Sequence, residues 1–398
     1  MPAAMSILYD PDGYVNGPPH AELARLRREE PVSWQHTGDG NGYWAVTRHG
    51  DVVTVSTDPV AYSSERGSVM IEDLEPHVLE MTRSMLLMMD PPAHGRYRRM
   101  VLHAFTPRMV DALEPRIREL TRAILERAAQ RRDVELVHEV AAALPVQVIG
   151  ELMGIPQADW PQIQAWAEQL TGSQDPEVNP GGNEAEASFA MGAYAVGLGS
   201  ERRGKSGSDL TTAIVNANVD GHTMTDFEFG AFFVQIVTAG NDTSRTLLSN
   251  AVDVLLDHRA AMDELRADSA MIAGAVEEVL RYANPLHYFR RTAMRDVRLG
   301  GADIREGDKV VLYYTSANRD EAVFERPDVF DVRRHPNPHL AFGFGEHFCI
   351  GAKLARLEGR VFLEELLSRF AAIERTGPAR RQRSNLNNAL KSLPVRLR

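Results

Sequence analysis

Cys349 is the only cysteine among 398 residues, and the chain around it reads Phe342-Gly343-Phe344-Gly345-Glu346-His347-Phe348-Cys349-Ile350-Gly351. Glycines at 343, 345 and 351 allow backbone conformations and close approaches closed to other residues. The stretch from Ala352 to Leu366 has helical spacing, which sets Cys349 beside a helix N-terminus. Free amides and partial positive charge there favour thiolate over thiol. A thiolate given amide hydrogen bonds and kept from bulk water suits a haem-iron ligand that promotes O–O cleavage. The competing reading of a lone cysteine is a buried, inert thiol. One cysteine also excludes an intrachain disulfide and any multi-cysteine zinc or iron–sulfur site.

A second group of chemically able residues lies in the longest helical signal, which starts at Thr225. Thr225 and Glu228 have capping-box spacing. Apolar residues run almost all round from Phe229 through Val237 and resume from Leu247 to Leu256, the mark of a buried helix. Between them, Thr238-Ala239-Gly240-Asn241-Asp242-Thr243 is small and polar. Such a break in a buried helix is costly unless water or a ligand lies against it. Glu278 and Arg281, three apart, can pair on one helix face.

The elements that must position these groups are mostly helical. Apolar residues recur at three and four spacing through Ile117, Leu120, Ile124 and Leu125. Strand-like pieces occur at 32–34, 42–46, 297–299 and 309–314, and a helix is expected around 21–29. Gly172 to Glu184, rich in Gly, Pro, Asn and acidic residues, reads as a mobile loop between helices. The expectation is a mainly α chain with a small β region, a single domain over residues 1–398, without internal repeats. Hydrophobic residues make up 43% and charged residues 25%, enough for a sizeable core. The net charge of −11 argues against nucleic acid as a partner. No signal peptide and no apolar run of membrane-spanning length is visible, which predicts a cytoplasmic protein. Gly199 to Ser206 matches a Walker A pattern, but the preceding residues read as a helix rather than a strand, so it is a chance match.

Phe342, Gly345, His347, Cys349 and Gly351 resemble the cysteine-ligand loop of the cytochrome P450 superfamily. Other landmarks follow in order along essentially the whole chain: Glu278-Val279-Leu280-Arg281 looks like the family's Glu-x-x-Arg pair, and Ala239 to Thr243 like the oxygen-binding kink of its long central helix. Asp90-Pro91-Pro92-Ala93-His94, with Arg98, resembles the segment entering the helix that contacts haem. The resemblance implies the P450 fold, haem b as cofactor with Cys349 on iron, and insertion of one oxygen atom from O2 into a C–H bond. It also implies that Phe342, Gly343 and Gly351 shape the haem-binding loop. Glu278 and Arg281 would support that loop, with Arg334 or His339 as third member. His94, Arg98, Arg291 and His347 would bind the propionates, Arg291 being favoured over Arg290. Gly240 would let the helix open to oxygen, Asp242 would relay protons, and Thr243 would offer its hydroxyl beside the reacting oxygen; the competing reading of Thr243 is a hydroxyl bonded back to its own helix. Only 49 residues follow Cys349, so ferredoxin and ferredoxin reductase are the implied electron source, with Arg96, Arg99, His103, Lys353 and Arg356 as a possible basic docking patch.

The implied substrate pocket draws on Met70, Leu86, Phe232, Phe233, Val237, Ala239, Leu286 and Tyr288, mostly apolar and suited to a hydrophobic small molecule. His287, Gln235 and Asn388 are candidate polar anchors. The chain looks most like the actinobacterial P450s that oxidise cholesterol side chains and methyl-branched lipids. A sterol, branched lipid or terpenoid is therefore the expected substrate. A natural-product tailoring oxidase acting on a polyketide, peptide or carrier-bound substrate stays open, as does a non-catalytic haem protein that only binds ligand.

Overall fold

A computed structural model of the chain describes residues 4–398, except for the side chains of residues 103 and 104. Its axis is the central helix Asp226–Asp257, 32 residues long, or roughly 48 Å at 1.5 Å per residue. The capping box forms: Thr225 Oγ1 accepts from the Glu228 amide at 3.2 Å, and Glu228 Oε2 accepts from the Thr225 amide at 2.7 Å. Two orphan donors of the first turn are thereby satisfied. The helix is buried along most of its length and packs against Ala143–Met153, Trp160–Thr171, Glu184–Arg202 and the cysteine helix Ala352–Arg369. Their apolar faces merge into one core.

The larger sheet has five strands in the order Val32–His36, Gly42–Val46, Lys309–Tyr313, Tyr288–Ala293, Tyr62–Ser63. Only the pairing of Gly42–Val46 with Lys309–Tyr313 is parallel. Alternation along Tyr288–Ala293 sends Tyr288 and Arg290 to one face and Phe289 and Arg291 to the other. That decides which of these side chains can reach the site. Tyr314, expected in a strand, instead begins the short helix Tyr314–Ala317.

Residues 172–183 do connect two helices, but the loop is pinned rather than loose. Asp175 is buried and accepts from the Arg383 amide at 2.9 Å and from Lys391 Nζ at 3.0 Å. Residues 199–202 of the Walker-like stretch form the last turn of Glu184–Arg202, a geometry that cannot wrap a phosphate. No helix among the described residues is long and apolar enough to cross a membrane.

A buried polar frame holds the approach to the cysteine loop. Glu278 and Arg281 are both fully buried and joined by two hydrogen bonds of 2.8 Å. Arg281 also donates to the carbonyls of Asn318, Pro327 and Val329. Glu278 accepts further from Arg334 Nε at 3.1 Å and Asn337 Nδ2 at 3.1 Å. Arg334 is thus the third member, while His339 pairs with the neighbouring Glu277 at 3.1 Å. Asn318 Oδ1 accepts from the Leu340 amide at 2.7 Å, which ties the frame to the start of the loop. A buried charge network of this kind is stable only when every member is satisfied.

Candidate active site

The cysteine loop closes on itself through backbone bonds. The Cys349 amide donates to the Phe342 carbonyl at 2.9 Å, and the Gly343 amide to the Leu340 carbonyl at 2.9 Å. Gly343 and Gly345 both adopt positive φ, +71° and +69°. At Gly345 a Cβ would fall 2.2 Å from the Ser56 carbonyl oxygen, so the position admits glycine alone. Gly351 has an ordinary φ of −80° and starts the cysteine helix. The Arg356 guanidinium lies 4.5 Å over the Phe342 ring and is held by Glu277 at 2.7 Å. Burial pushes the Glu277 carboxyl up, but bonds from His339 and Arg356 outweigh it and hold it at about 2.

Between this loop and the central helix lies a cavity of about 250 Å³. Cys349 lines it. So do Gln235, Ile236, Ala239, Gly240 and Thr243 of the central helix, and Leu86, Leu286 and Phe289. Enclosure pushes the Cys349 thiol up, against the amides of Gly351 and Ala352 and the charges of Arg98 and Arg356.

His94, Arg98, Arg291 and His347 converge on the cavity. Arg291 is 5% exposed and donates only to the Arg290 carbonyl, at 2.7 Å; burial pushes its guanidinium below its usual range. Arg98 donates to the Phe348 carbonyl at 2.6 Å. Among the described residues no carboxylate pairs with either arginine. The His94 and His347 rings lie 4.3 Å apart, and His94 Nε2 is buried without a partner. Burial first, then Arg98, lowers His94 to about 4. Burial and then Arg291 lower His347 to about 2, with Ser64 Oγ 3.2 Å from its Nε2. A buried arginine and a half-buried one, neither in an ion pair, beside two imidazoles at the edge of an apolar cavity suit a group carrying carboxylates. With one thiol on the wall, the donor set fits haem: sulfur for iron, cations for propionates, apolar walls for the macrocycle.

A family model for cytochrome P450 matches residues 198–396. The methyl-branched lipid omega-hydroxylase of Mycobacterium tuberculosis is 38% identical over 94% of this chain and 90% of its own length. The chain belongs to the cytochrome P450 family. The linalool 8-monooxygenase of Pseudomonas putida is 35% identical over 98% of both chains. The solved Mycobacterium marinum P450 CYP268A2, in complex with pseudoionone, superposes with a TM-score of 0.89 at 37% identity, covering 95% of this chain and 94% of that one. The P450 is thus a monooxygenase of the expected fold, and its family's cofactor is haem b with a cysteine thiolate on iron.

The structure brings together only part of the expected pocket. Leu86, Ala239 and Leu286 line the cavity. Phe232, Phe233 and Val237 do not; they are buried in the helical core, where the Phe233 ring meets Tyr194 at 6.2 Å and Phe229 at 6.1 Å. Met70 packs in the core beside the sheet. Tyr288 lies in that same core, its hydroxyl donating to Asn385 at 3.1 Å. Strand alternation was the missed signal: if Arg291 faces the site, so does Phe289, and Tyr288 does not. Arg290, on the far face, binds Asp73 at 2.7 Å. Of the polar anchors only Gln235 reaches the cavity; His287 binds Thr315 at 2.8 Å and Asn388 binds the Asn284 carbonyl at 3.0 Å.

On the central helix of this P450, no break occurs at 239–243. A Cβ on Gly240 would fall 2.7 Å from Ile149, so the glycine lets a neighbouring helix close in. Thr243 lines the cavity, and its hydroxyl is bonded back to the Ala239 carbonyl at 2.6 Å. Asp242 faces a separate small chamber with Asn241, Glu168 and Arg245, ion-paired to Arg245. Glu358 was not foreseen: buried on the cysteine helix, it accepts from Ser244 Oγ at 2.5 Å, and burial raises its carboxyl to about 7. Most of the expected basic patch is paired: Arg99 with Asp220 at 2.6 Å, Lys353 with Asp111 at 2.6 Å, and Arg356 with Glu277, whereas Arg96 forms no ion pair among the described residues. The His103 side chain lies outside the described residues.

Proposed function

We propose that this P450 hydroxylates a methyl-branched aliphatic or terpenoid molecule, with Cys349 as the iron ligand. The observation that carries this reading is the apolar wall of Leu86, Ile236, Leu286 and Phe289 in the same cavity as Cys349. An apolar wall desolvates and orients a hydrocarbon but cannot bind a strongly polar substrate. Linalool, methyl-branched lipids and pseudoionone, named for the relatives above, are hydrophobic and branched.

Bound beside Cys349, haem supplies the iron chemistry that reduces O2 and passes one oxygen atom into a C–H bond. Arg98, Arg291, His94 and His347 hold its two carboxylates. The loop from Phe342 to Gly351 keeps the sulfur in a low-dielectric setting. Thr243 Oγ1 holds a proton at the cavity wall, now given to its own helix and free to turn by a rotation about χ1. Asp242 and Arg245 hold charge in the chamber behind the helix, and Arg245 lies 3.9 Å from Glu168, which is one-third exposed and offers a route for protons. Electrons come from a separate ferredoxin. Because Arg99, Lys353 and Arg356 are paired, docking there draws on shared ion pairs more than on free positive charge.

The test is a screen for substrate-induced haem spectral shifts over branched lipids, steroids and terpenoids, followed by product analysis. Shifts and hydroxylated products with free branched hydrocarbons support the reading. Turnover confined to carrier-bound acyl or aminoacyl groups moves the protein to natural-product tailoring. Shifts without any product make it a ligand-binding haem protein.

A further inference from the structure

Away from the arginines and histidines at its edge, the apolar part of the cavity holds one side chain, Gln235, with a donor that no described residue uses. Gln235 stands on the central helix among Leu86, Leu87, Ile236, Leu286 and Phe289. Its Oε1 accepts from the Leu87 amide across a long 3.4 Å contact, which orients the carboxamide. Its Nε2 has no partner among the described residues. The other polar groups along this wall are engaged: Thr243 with the Ala239 carbonyl and Ser244 with Glu358. The cationic side chains of the lining, Arg98 and Arg291, stand together with His94. The amide N–H of Gln235 is therefore a lone donor in an apolar surround, where a donor without an acceptor is costly and a matching acceptor is selected strongly.

We infer that Gln235 is a specificity-determining residue that receives a carbonyl or hydroxyl oxygen of the substrate and so sets which carbon is oxidised. The inference rests on the proposed function and sharpens its substrate class: a branched hydrocarbon bearing one hydrogen-bond acceptor, not a plain hydrocarbon. Four to five residues separate Gln235 from Ala239 and Gly240, roughly 6–8 Å along the helix axis. The oxygen is held at that level, and the chain extending from it toward Thr243 presents a carbon several atoms away. An amide N–H donates and cannot accept, so a ketone satisfies it fully, and a hydroxyl does so through its lone pairs.

The test uses the haem-loaded protein with pseudoionone and with its deoxygenated hydrocarbon, titrated by the shift of the haem Soret band. In Gln235→Leu, binding of the ketone weakens roughly five- to tenfold, as expected for loss of one neutral hydrogen bond, while the hydrocarbon binds as well or better. An equal change for both ligands, or none for either, overturns the anchor. A measurement on the unaltered protein does not depend on the variant's folding. Difference infrared spectra of carbonyl-labelled pseudoionone show its C=O band shifted below its position in alkane solvent if Gln235 donates; an unshifted band overturns the inference. The reduced carbonyl complex of the same preparation separates the two levels. With thiolate ligation intact, a failed discrimination sinks only the anchor; without it, the proposed function falls and the anchor with it.

Discussion

Replacing Arg291 by methionine should act with opposite sign on the protein with and without cofactor. Arg291 is a guanidinium with five N–H donors, 5% exposed, giving a single bond to a backbone carbonyl and forming no ion pair among the described residues. In cofactor-free protein the charge is a net burden. An apolar side chain of similar length should raise stability by about 1–4 kcal/mol, as when buried charges elsewhere are replaced by well-packed apolar groups. With haem bound, the same change removes a charge-assisted bond to a propionate, about 1.5–3 kcal/mol, or roughly tenfold to 150-fold faster loss of cofactor at 1.4 kcal/mol per decade. Urea unfolding of cofactor-free protein and transfer of haem to excess apomyoglobin measure the two arms separately. Arg290→Met is the control. It breaks bonds to Asp73, Ile71 and Glu72, should destabilise, and should leave haem transfer nearly unchanged. If Arg291→Met instead destabilises the cofactor-free protein, Arg291 is a structural pillar and the carboxylate-receptor account is wrong.

Glu278→Gln leaves Arg281 and Arg334 without their shared carboxylate and should cost about 3–5 kcal/mol of unfolding free energy, read as a lower denaturant midpoint at unchanged slope. Gly345→Ala should lose the native loop, because a Cβ 2.2 Å from the Ser56 carbonyl adds a clash to the backbone strain. Gly343→Ala, with 3.5 Å to its nearest neighbour, should cost only the left-handed conformation, about 1–2 kcal/mol; paired thermal melts test the difference. His287 is buried, and desolvation followed by the nearby Arg381 and His20 charges holds it well below its usual range. The unfolded chain therefore takes up a proton near pH 6.5 that the folded chain refuses. This contribution to stability is full above about pH 6.5 and shrinks as pH falls below it. His287→Gln should flatten that acid slope, as measured by unfolding free energy from pH 7 to 5; an unchanged slope assigns the acid sensitivity elsewhere.

Much of this architecture was legible because local physics and function coincide. The capping box at Thr225, the apolar run of the central helix and the glycines of the cysteine loop each carry their own local signature. The Glu278–Arg281 frame needed position along the chain as well as spacing, since the same spacing on a solvated helix means nothing. The pocket was harder to read. Phe233 and Ile236 are both apolar residues of one helix, and only the neighbouring helices, not in the local pattern, decide which meets the cavity. Tyr288 against Phe289 was decidable from the period of two once Arg291 was placed inward. Asp242 and Thr243, adjacent in sequence, face different spaces, because successive helix residues turn by about 100°. Glu358 gave no signal at all, since a glutamate in an amphipathic helix ordinarily faces water.

The most direct measurement is the absorption spectrum of the purified, dithionite-reduced protein under carbon monoxide, alongside Cys349→Ser. Sulfur ligation of the iron predicts a strongly red-shifted Soret band that the serine variant lacks. A haem-free protein, an unshifted band, or an identical spectrum from the variant contradicts the assignment on which the proposed chemistry rests.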